Sequence, residues 1–339
     1  MRCLIWGAGA IGGTLGAYLA RAGHDITLVD TATDHVDAIN ANGLRITGPI
    51  AEFTVRPTAR PPDHLTGSWD TIILATKAHH TEAAARALLP HLSPTGYVVS
   101  AQNGLNELTI AAIVGEARTV GAFVNFGADY LEPGSILYGG RGMVMVGEAF
   151  GAQRDTARVL AIRRAWRDFD ERADTTPNIW GYLWGKEAYG AMLFATALTN
   201  DSIADCLAAP EYRPLYIALA REILAVARAR GVRSEAFDGF DPAAYLPNAP
   251  AGAAEQSLDH LVAHNRKSAK THSGIWRDLA VRKRPTEVDA QLGIVVALGV
   301  EAGVPAPLTS AVVKLIHEIE QGVRAQSPEA LDALAAVLA

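Results

Sequence analysis

The segment GAGAIG, near the amino end of the chain, constrains the fold more than any other feature of this sequence. It follows RCLIW, an apolar run without period-2 alternation, which is typical of a parallel strand buried on both faces. The segment IGGTLGAYLARAG after it has the character of a helix. A strand, a G-x-G-x-x-G turn and a helix in this order open a dinucleotide-binding βαβ unit, so we predict a dinucleotide site here.

Each glycine of the motif has its own task in this interpretation. Gly7 permits the tight turn, Gly9 lets the backbone approach a pyrophosphate, and Gly12 allows the helix and the strand to pack closely. The free N–H groups at the start of the helix would bind the phosphates. A purely structural glycine turn is the alternative. The predicted cofactor-binding residues of the segment are Gly7, Ala8, Gly9, Ala10, Ile11 and Gly12.

The second predicted strand, DITLVD, ends in Asp30. A carboxylate at this place accepts hydrogen bonds from a ribose 2′-hydroxyl and repels a 2′-phosphate, so Asp30 favours NAD over NADP. The structural alternative is that Asp30 caps the next helix, a task that Thr31 or Thr33 could also perform. Arg45 complicates the choice of cofactor, because a cation close to the site could still accommodate a phosphate.

Composition limits the class of protein. The 339 residues suffice for two domains, and 49% hydrophobic with 19% charged residues is ordinary for a globular chain. The net charge of −6 and the dispersed cations argue against nucleic-acid binding. No apolar run reaches the roughly 18 residues of a membrane span, and no leader precedes the first strand. We therefore expect a cytoplasmic protein, with Cys3 and Cys206 as buried thiols.

The alternation of patterns divides the chain into two predicted domains. Strand-like and helical runs alternate in residues 1–176, which indicates an α/β Rossmann domain with a doubly wound parallel sheet and antiparallel additions near its end. Two of the late strand-like runs are joined by Gly140, Arg141 and Gly142. Residues 177–339 show helical periodicity, which indicates a mainly α-helical substrate and catalytic domain. The crevice between the domains is the expected substrate site.

Polar residues follow two of the predicted strands. Lys77 comes after TIILAT, and Gln102-Asn103-Gly104 comes after YVVSA. Ligands of doubly wound sheets bind beyond the carboxyl ends of the strands, so we predict Lys77 and Asn103 at the cofactor edge. The alternatives are a solvated lysine and an ordinary Asn-Gly turn.

Two segments of the second half contain charged residues that are candidates for a functional site. Lys186 interrupts the apolar and aromatic run of TPNIWGYLWGKEAYGAMLF, and lysine is rarely buried unless it is paired. The alternative is a lysine that snorkels at a helix edge. Farther on, THSGIWRDLAVRKRPTEVDAQ is rich in charge, with an RKR run expected to be a solvated face. Glu287 opens an apolar helix there. The structural alternative is that Thr286 caps this helix and that the charge of Glu287 stabilises its N-terminus.

Taken in order, GAGAIG, TKAHHT, QNGLNE, the lysine of WGKEAYGAML and PTEVD resemble the ketopantoate reductase (2-dehydropantoate 2-reductase) family over nearly the whole chain. The resemblance implies hydride transfer between a nicotinamide and a 2-oxo acid. It implies that Lys186 is the catalytic lysine, which protonates the forming alkoxide. Asn103 and Lys77 resemble residues that line the same cleft. Glu287 resembles an acid that pairs with the substrate or positions the lysine.

The departures from the family pattern concern substrate and cofactor. The family asparagines four and eight residues after the lysine, on one helical face, are Gly190 and Phe194 here, so a gap and a ring replace two polar substrate contacts. The family's Ser-Ser-Met-x-x-Asp stretch becomes SGIWRD, and the segment from its aspartate to the TE pair is one residue longer. The further substrate candidates are His272, Ser273 and Arg277. Asp30 stands where the family has an NADP-binding arginine.

These residues predict an NAD(H)-dependent oxidoreductase acting on CH–OH that interconverts a 2-oxo acid, or a related keto-carboxylate, and its hydroxy acid. Lys186, Glu287 and Asn103 are the predicted catalytic residues. The predicted cofactor is NAD rather than NADP, the predicted partner is the small acid, no metal is expected, and homodimerisation is left open. The alternatives are an NADPH-dependent 2-dehydropantoate 2-reductase of pantothenate biosynthesis, an opine or amino-acid dehydrogenase, and a non-catalytic NAD-binding sensor.

Overall fold

The computed structural model describes residues 1–151, 155–267 and 271–338. The chain divides into two compact units, Met1–Ile179 and Trp180–Ala339. None of the helices in the described ranges has both the length and the apolar character that crossing a bilayer requires.

The first unit contains the strands, and its apolar runs form them. The strands are β1 (Arg2–Trp6), β2 (Asp25–Val29), β3 (Leu44–Thr47), β4 (Phe53–Val55), β5 (Thr58–Arg60), β6 (Trp69–Leu74), β7 (Leu92–Ser100), β8 (Thr119–Val124), β9 (Gly127–Glu132), β10 (Ser135–Gly140), β11 (Val144–Glu148) and β12 (Asp174–Thr175). Four of the five residues of β1 are buried, as expected for a strand covered on both faces.

The main sheet has eight strands in the order β12-β11-β8-β7-β6-β1-β2-β5. Neighbouring strands are parallel except β8 and β11, which are antiparallel. The prediction of a doubly wound parallel sheet with an antiparallel strand near its end is therefore confirmed. The carboxyl ends of β1, β2, β6 and β7 consequently share one edge of the sheet.

A second sheet has the order β4-β3-β10-β9. The two runs around Gly140, Arg141 and Gly142 therefore belong to different sheets, and of these two only β11 is an antiparallel addition to the main sheet. Strand β10 pairs with β9 and with the distant β3, a long-range choice that periodicity does not encode. A Cβ at Gly142 would lie 2.1 Å from the Asn125 carbonyl oxygen, so the chain needs glycine where it crosses between sheets.

The helices follow the alternation seen in the sequence. Those of the first unit are α1 (Ala10–Arg21), α2 (Thr33–Asn42), α3 (Thr81–Leu88), α4 (Glu107–Val114) and α5 (Ala157–Trp166). Those that follow are α6 (Ile179–Thr196), α7 (Ile203–Ala208), α8 (Arg213–Ala229), α9 (Ala253–Lys267), α10 (Gly274–Trp276), α11 (Ile294–Glu301), α12 (Pro307–Glu320) and α13 (Pro328–Ala335). π-Helical turns cover Arg277–Val281 and Asp289–Gly293. The prediction of a mainly helical second half is confirmed.

Both cysteines are free and buried, as predicted. Burial raises the pKa of the Cys3 thiol to about 12, which keeps it protonated and unreactive. Helix α6 is buried on most of its surface, and Leu183, Trp184 and Met192 are almost completely covered. A helix that is apolar on nearly every side belongs to the centre of its unit, so a lysine within it is exceptional.

Candidate active site

The glycine turn between β1 and α1 has the geometry that a dinucleotide requires. Gly7 has a φ of +101°, and a Cβ at Gly12 would lie 2.0 Å from the Gly7 carbonyl oxygen, so both positions need glycine. A Cβ at Gly9, in contrast, would meet nothing within 4 Å. Gly9 is also the N-cap of α1 and supplies no side-chain hydrogen bond. Open space beside uncapped N–H groups fits a pyrophosphate.

Asp30 follows β2 and is bonded to this turn. Its Oδ2 accepts a hydrogen bond from the Ala8 N–H at 2.8 Å, and its Oδ1 accepts one from the Ala32 N–H at 3.0 Å. Helix α2 has Ala32 as its N-cap and no side-chain cap, so neither Thr31 nor Thr33 caps it. Asp30 does not cap α2 either, so the capping alternative was wrong, and its structural task is instead the bond to the Ala8 N–H. A carboxylate has about four lone-pair sites, so it retains capacity for a ribose hydroxyl.

The cations around Asp30 differ from the sequence-based expectation. Arg45 lies on β3 in the second sheet, and its guanidinium donates to Glu52 Oε1 at 2.7 Å. The cation whose backbone adjoins Asp30 is Arg60, at the end of β5, where its carbonyl accepts from the Asp30 N–H at 3.2 Å. Arg60 is exposed.

His35 on α2 is a residue that sequence reasoning missed. Its Nδ1 accepts a hydrogen bond from the Gly134 N–H at 2.9 Å, so its other ring nitrogen carries the proton. That Nε2–H donates to the Ala8 carbonyl at 2.9 Å. His35 thus holds the Ala8–Gly9 peptide through its carbonyl, and Asp30 holds the Gly7–Ala8 peptide through its N–H. The side chain is buried, and a single histidine inside an amphipathic helix gave no signal of this role.

A buried amide and hydroxyl network joins the loops after β6 and β7. Gln102 Nε2 donates to the Thr76 carbonyl at 3.0 Å and to Thr81 Oγ1 at 2.8 Å. Thr81 Oγ1 donates in turn to Asn106 Oδ1 at 2.9 Å, and Asn106 Nδ2 donates to the Asn103 carbonyl at 2.6 Å. All of these residues lie within the TKAHHT and QNGLNE segments or directly beside them. The network therefore fixes the backbone that carries two predicted site residues.

Those two residues, Lys77 and Asn103, lie at the carboxyl ends of neighbouring strands. Lys77 is partly buried and precedes a 3₁₀ turn, Ala78–His80. Asn103 is exposed, and Gly104 after it has a φ of +101°, which explains the glycine of QNG. The structure thus brings both side chains to the edge of the sheet that carries the glycine turn, and their roles toward a ligand stay predictions.

Glu107, at the start of α4, is fully buried beneath this loop. Neither of its carboxyl oxygens has a hydrogen-bond partner among the described residues. Burial raises its pKa to about 8, so the carboxyl is neutral at pH 7.

In the second unit, Lys186 lies in the middle of α6. It is partly exposed, whereas Gly185 and Glu187 on either side are buried. Gly190, one turn later, is partly exposed, and Phe194 has no exposed surface. A fully covered ring can shape a pocket only from behind the residues that line it. The substrate roles of Gly190 and Phe194 stay predictions.

Glu287 is 8% exposed and lies directly before a π-helical turn. Thr286 Oγ1 accepts from the Val288 N–H at 3.3 Å, but Val288 is itself the N-cap of the π-helical turn, which has no side-chain cap, so Thr286 does not cap this helix start. The same hydroxyl donates to Glu320 Oε1 on α12 at 2.8 Å. His317 on α12 contacts Glu320 Oε2 through Nδ1, at 2.9 Å. The backbone around Glu287 is therefore fixed by α12.

The remaining substrate candidates, His272, Ser273 and Arg277, lie around α10. Ser273 caps α10 by accepting from the Trp276 N–H at 3.1 Å. The His272 ring is within hydrogen-bond distance of the Asn200 carbonyl, at 3.2 Å, and its centroid lies 4.1 Å from that of Trp276. Arg277 begins the π-helical turn and is partly buried. Ser273 and His272 thus have local structural contacts, and any contact of these three residues with substrate stays a prediction.

The RKR run is exposed, as expected, and two of its cations also form ion pairs. Arg282 and Arg284 both contact the buried carboxylate of Asp278, with N···O distances of 3.0 and 2.9 Å. Asp278 is therefore a buried acid with two cationic partners.

Among the described ranges, no group of three or more His, Cys, Asp or Glu side chains could hold a metal ion.

The fold and the glycine turn define a Rossmann dinucleotide-binding protein with a lysine-bearing helical unit. Models of known families match two stretches of the chain: ketopantoate reductase PanE/ApbA matches residues 3–151, and ketopantoate reductase PanE/ApbA C terminal matches residues 178–320. These matches cover most of the chain, which therefore belongs to the ketopantoate reductase family of oxidoreductases. The resemblance noted in the sequence is confirmed.

Individual relatives span the chain from end to end. The 2-dehydropantoate 2-reductase of Mesorhizobium japonicum is 28% identical over 345 residues, covering 94% of this chain and 98% of that protein. The structure of a PanE/ApbA family ketopantoate reductase from Ralstonia eutropha JMP134 matches with a TM-score of 0.79 and 25% identity. The match covers 95% of this chain and 99% of that one. The structure of D-mandelate dehydrogenase with NADH and anilino(oxo)acetate matches with a TM-score of 0.80 at 19% identity. This match covers 95% of this chain and 99% of that one, and it is a similarity of fold.

Proposed function

We propose that this chain is an NAD(H)-dependent oxidoreductase that interconverts a 2-oxo acid, or a related keto-carboxylate, and its 2-hydroxy acid. The observation that carries the proposal is Lys186, a partly exposed lysine in a mostly apolar and mostly buried helix. A cation held in such surroundings can stabilise charge that develops on a carbonyl oxygen. A non-catalytic sensor would have no need of it.

Lys186 acts in this proposal as the general acid. Bound NADH would supply the hydride for the 2-oxo carbon. The Nζ–H of Lys186 donates its proton to the carbonyl oxygen, which becomes the hydroxyl, and the neutral amine regains a proton from water. In the opposite direction neutral Lys186 accepts the hydroxyl proton. Glu287 would position the ammonium or the substrate, and Asn103 and Lys77 would bind substrate or nicotinamide.

Lys186→Ala tests this role. We expect kcat to fall about 10²- to 10⁴-fold while the Kd for NADH, measured by fluorescence titration, stays unchanged. Lys314→Ala, at an exposed lysine of α12, is the matched control. Turnover that survives Lys186→Ala would overturn the proton-donor assignment.

The choice of NAD rests on Asp30, because its carboxylate would repel a 2′-phosphate. Asp30→Asn keeps an acceptor for the Ala8 N–H and removes the charge. We expect the ratio of kcat/KM for NADH to that for NADPH to fall about tenfold or more, chiefly through better use of NADPH. An unchanged ratio would contradict the assignment.

The second candidate is an NADPH-dependent 2-dehydropantoate 2-reductase. The names of the relatives and the exposed Arg60 beside Asp30 favour it, while Gly190 and Asp30 argue against it. A panel of 2-oxo and 2-hydroxy acids that includes ketopantoate, each tried with both cofactors, separates the two. Efficient NADPH-dependent reduction of ketopantoate would establish the second candidate.

A further inference from the structure

Gln291 stands out in the second unit as a largely buried amide that lies beside a gap. It is 8% exposed, and its carboxamide forms no hydrogen bond with any residue of the ranges 1–151, 155–267 and 271–338. A carboxamide carries two donors and an acceptor, so its hydrogen-bonding capacity is open to a bound ligand.

The space beside Gly190 adjoins this amide. A Cβ built at Gly190 would have Gln291 Oε1 at 4.0 Å and no other described atom within that distance, the backbone of its own helix apart. Leu193, three residues on and partly exposed, borders the same side of α6. The gap left by glycine is therefore bordered by one carboxamide and one alkyl side chain.

The positions of these residues connect them to the proposed catalytic groups. Gly190 lies one turn after Lys186 on the same face of α6. Gln291 lies one turn after Glu287, and its N–H donates to the Glu287 carbonyl at 3.0 Å. The contact between Gly190 and Gln291 thus joins the helix face that carries the lysine to the face that carries the acid.

Resting on the proposed function, we propose that Gln291 determines substrate specificity by donating a hydrogen bond to the carboxylate of the 2-oxo acid. A carboxamide carries two N–H donors, and a hydrogen bond to a charged acceptor is stronger than one to a neutral group. The gap at Gly190 then takes the substituent of the acid. With Leu193 on the same side of α6, this gap suits a branched alkyl or aryl substituent.

Gln291→Leu tests the hydrogen bond, because leucine keeps similar bulk and cannot donate. We expect KM for phenylglyoxylate to rise about 10- to 100-fold with kcat changed less than about threefold. Binding of phenylglyoxylate to the enzyme saturated with NAD⁺, where no hydride can be transferred, should weaken by the same factor in calorimetry. The melting temperature should not fall, since the substitution removes an unpaired buried amide.

Gly190→Asn tests the gap. We expect kcat/KM for phenylglyoxylate to fall at least tenfold more than that for pyruvate, because the new side chain fills the space for the substituent. Gln256→Leu, at an exposed position of α9, is the matched control and should match the wild type.

Three results would overturn the inference. Unchanged KM and binding in Gln291→Leu for every 2-oxo acid would show that the amide does not contact substrate. A lowered melting temperature together with loss of NADH binding would assign Gln291 a structural role instead. If the wild type neither binds nor reduces any 2-oxo acid of the panel, the proposed function itself fails, and this inference fails with it.

Discussion

His35 shows how a single side chain can prepare a cofactor site without touching the cofactor. It donates to the Ala8 carbonyl, while Asp30 accepts from the Ala8 N–H, so each of the two peptides that flank the Ala8 Cα is held by one hydrogen bond. A turn that is already held in its binding geometry loses less conformational entropy when a dinucleotide binds.

His35→Phe should therefore raise the Kd for NADH about tenfold, because a buried hydrogen bond at each ring nitrogen is lost. His35→Gln, whose amide can still donate to the Ala8 carbonyl, should recover part of the affinity. Fluorescence titration of NADH measures both values. Equal affinity in the wild type and His35→Phe would show that Asp30 alone fixes the turn.

Glu107 predicts a pH dependence of stability. Its pKa is raised by burial to about 8 in the folded chain, whereas in the unfolded chain it lies near 4.3. Between these values the folded state keeps a proton that the unfolded state releases, so this carboxyl lowers stability progressively as the pH rises from about 4.5 to 8.

Glu107→Gln should remove this pH-dependent loss of stability, because an amide carries no proton to release in this range. We expect the difference in melting temperature between the variant and the wild type to grow from pH 5.5 to pH 8, as measured by differential scanning calorimetry. Glu116→Gln, at an exposed glutamate close by, should show no such trend. A constant difference across this range would contradict a neutral buried Glu107.

At the scale of elements, α12 and the turn after Glu287 are joined through His317. Burial lowers the pKa of His317, but hydrogen bonds to Asp289 and Glu320 outweigh it and raise the pKa above its ordinary value. A raised histidine pKa contributes stability fully at pH values below that of the unfolded residue, near 6.5, and this contribution is lost as the pH rises through the folded value.

His317→Gln should consequently lower the melting temperature at pH 6 more than at pH 8.5. The two ion pairs disappear in the variant, while above the folded pKa the wild type has already lost them. Thermal denaturation followed by circular dichroism measures the difference. A larger effect at pH 8.5 would reverse the sign and refute the pairing.

The sequence was informative about elements wherever local pattern decides structure. Strand β1, the glycine turn and α1 follow from apolar continuity and backbone freedom within about 20 residues. The sequence did not indicate that β10 lies in a second sheet, because its pairing with β3 is a long-range register. For the same reason His35 and Gln291 were missed, since their roles depend on Gly134 and Gly190, each about 100 residues away along the chain. Thr81 and Asn106 could have been found, because both lie inside segments already singled out.

At the scale of the whole molecule, the division into Met1–Ile179 and Trp180–Ala339 separates the predicted cofactor residues from the predicted catalytic lysine and acid. A ligand that binds only the folded state stabilises it by RT ln(1 + [L]/Kd), so the stabilisation grows with the logarithm of its concentration. NADH at 100 times its Kd should contribute about 2.7 kcal/mol to the free energy of unfolding.

We therefore expect NADH at that concentration to raise the melting temperature by roughly 3–5 °C, as measured by calorimetry. NADPH at the same concentration should raise it by less, because of the Asp30 charge. Substitution of Lys186 should leave the NADH shift intact. A larger shift with NADPH would reverse the assignment of the cofactor.

The bond from Gly134 to His35 extends the consequences of the glycine turn into the second sheet. Gly134 lies between β9 and β10, so the packing of a sheet that holds none of the predicted ligand-binding residues sets where Ala8 lies. A library of random variants sorted only for changed NADH affinity should then be enriched in substitutions at residues 127–140. For an engineer, this sheet is a place from which cofactor affinity can be tuned while the GAGAIG segment stays as it is.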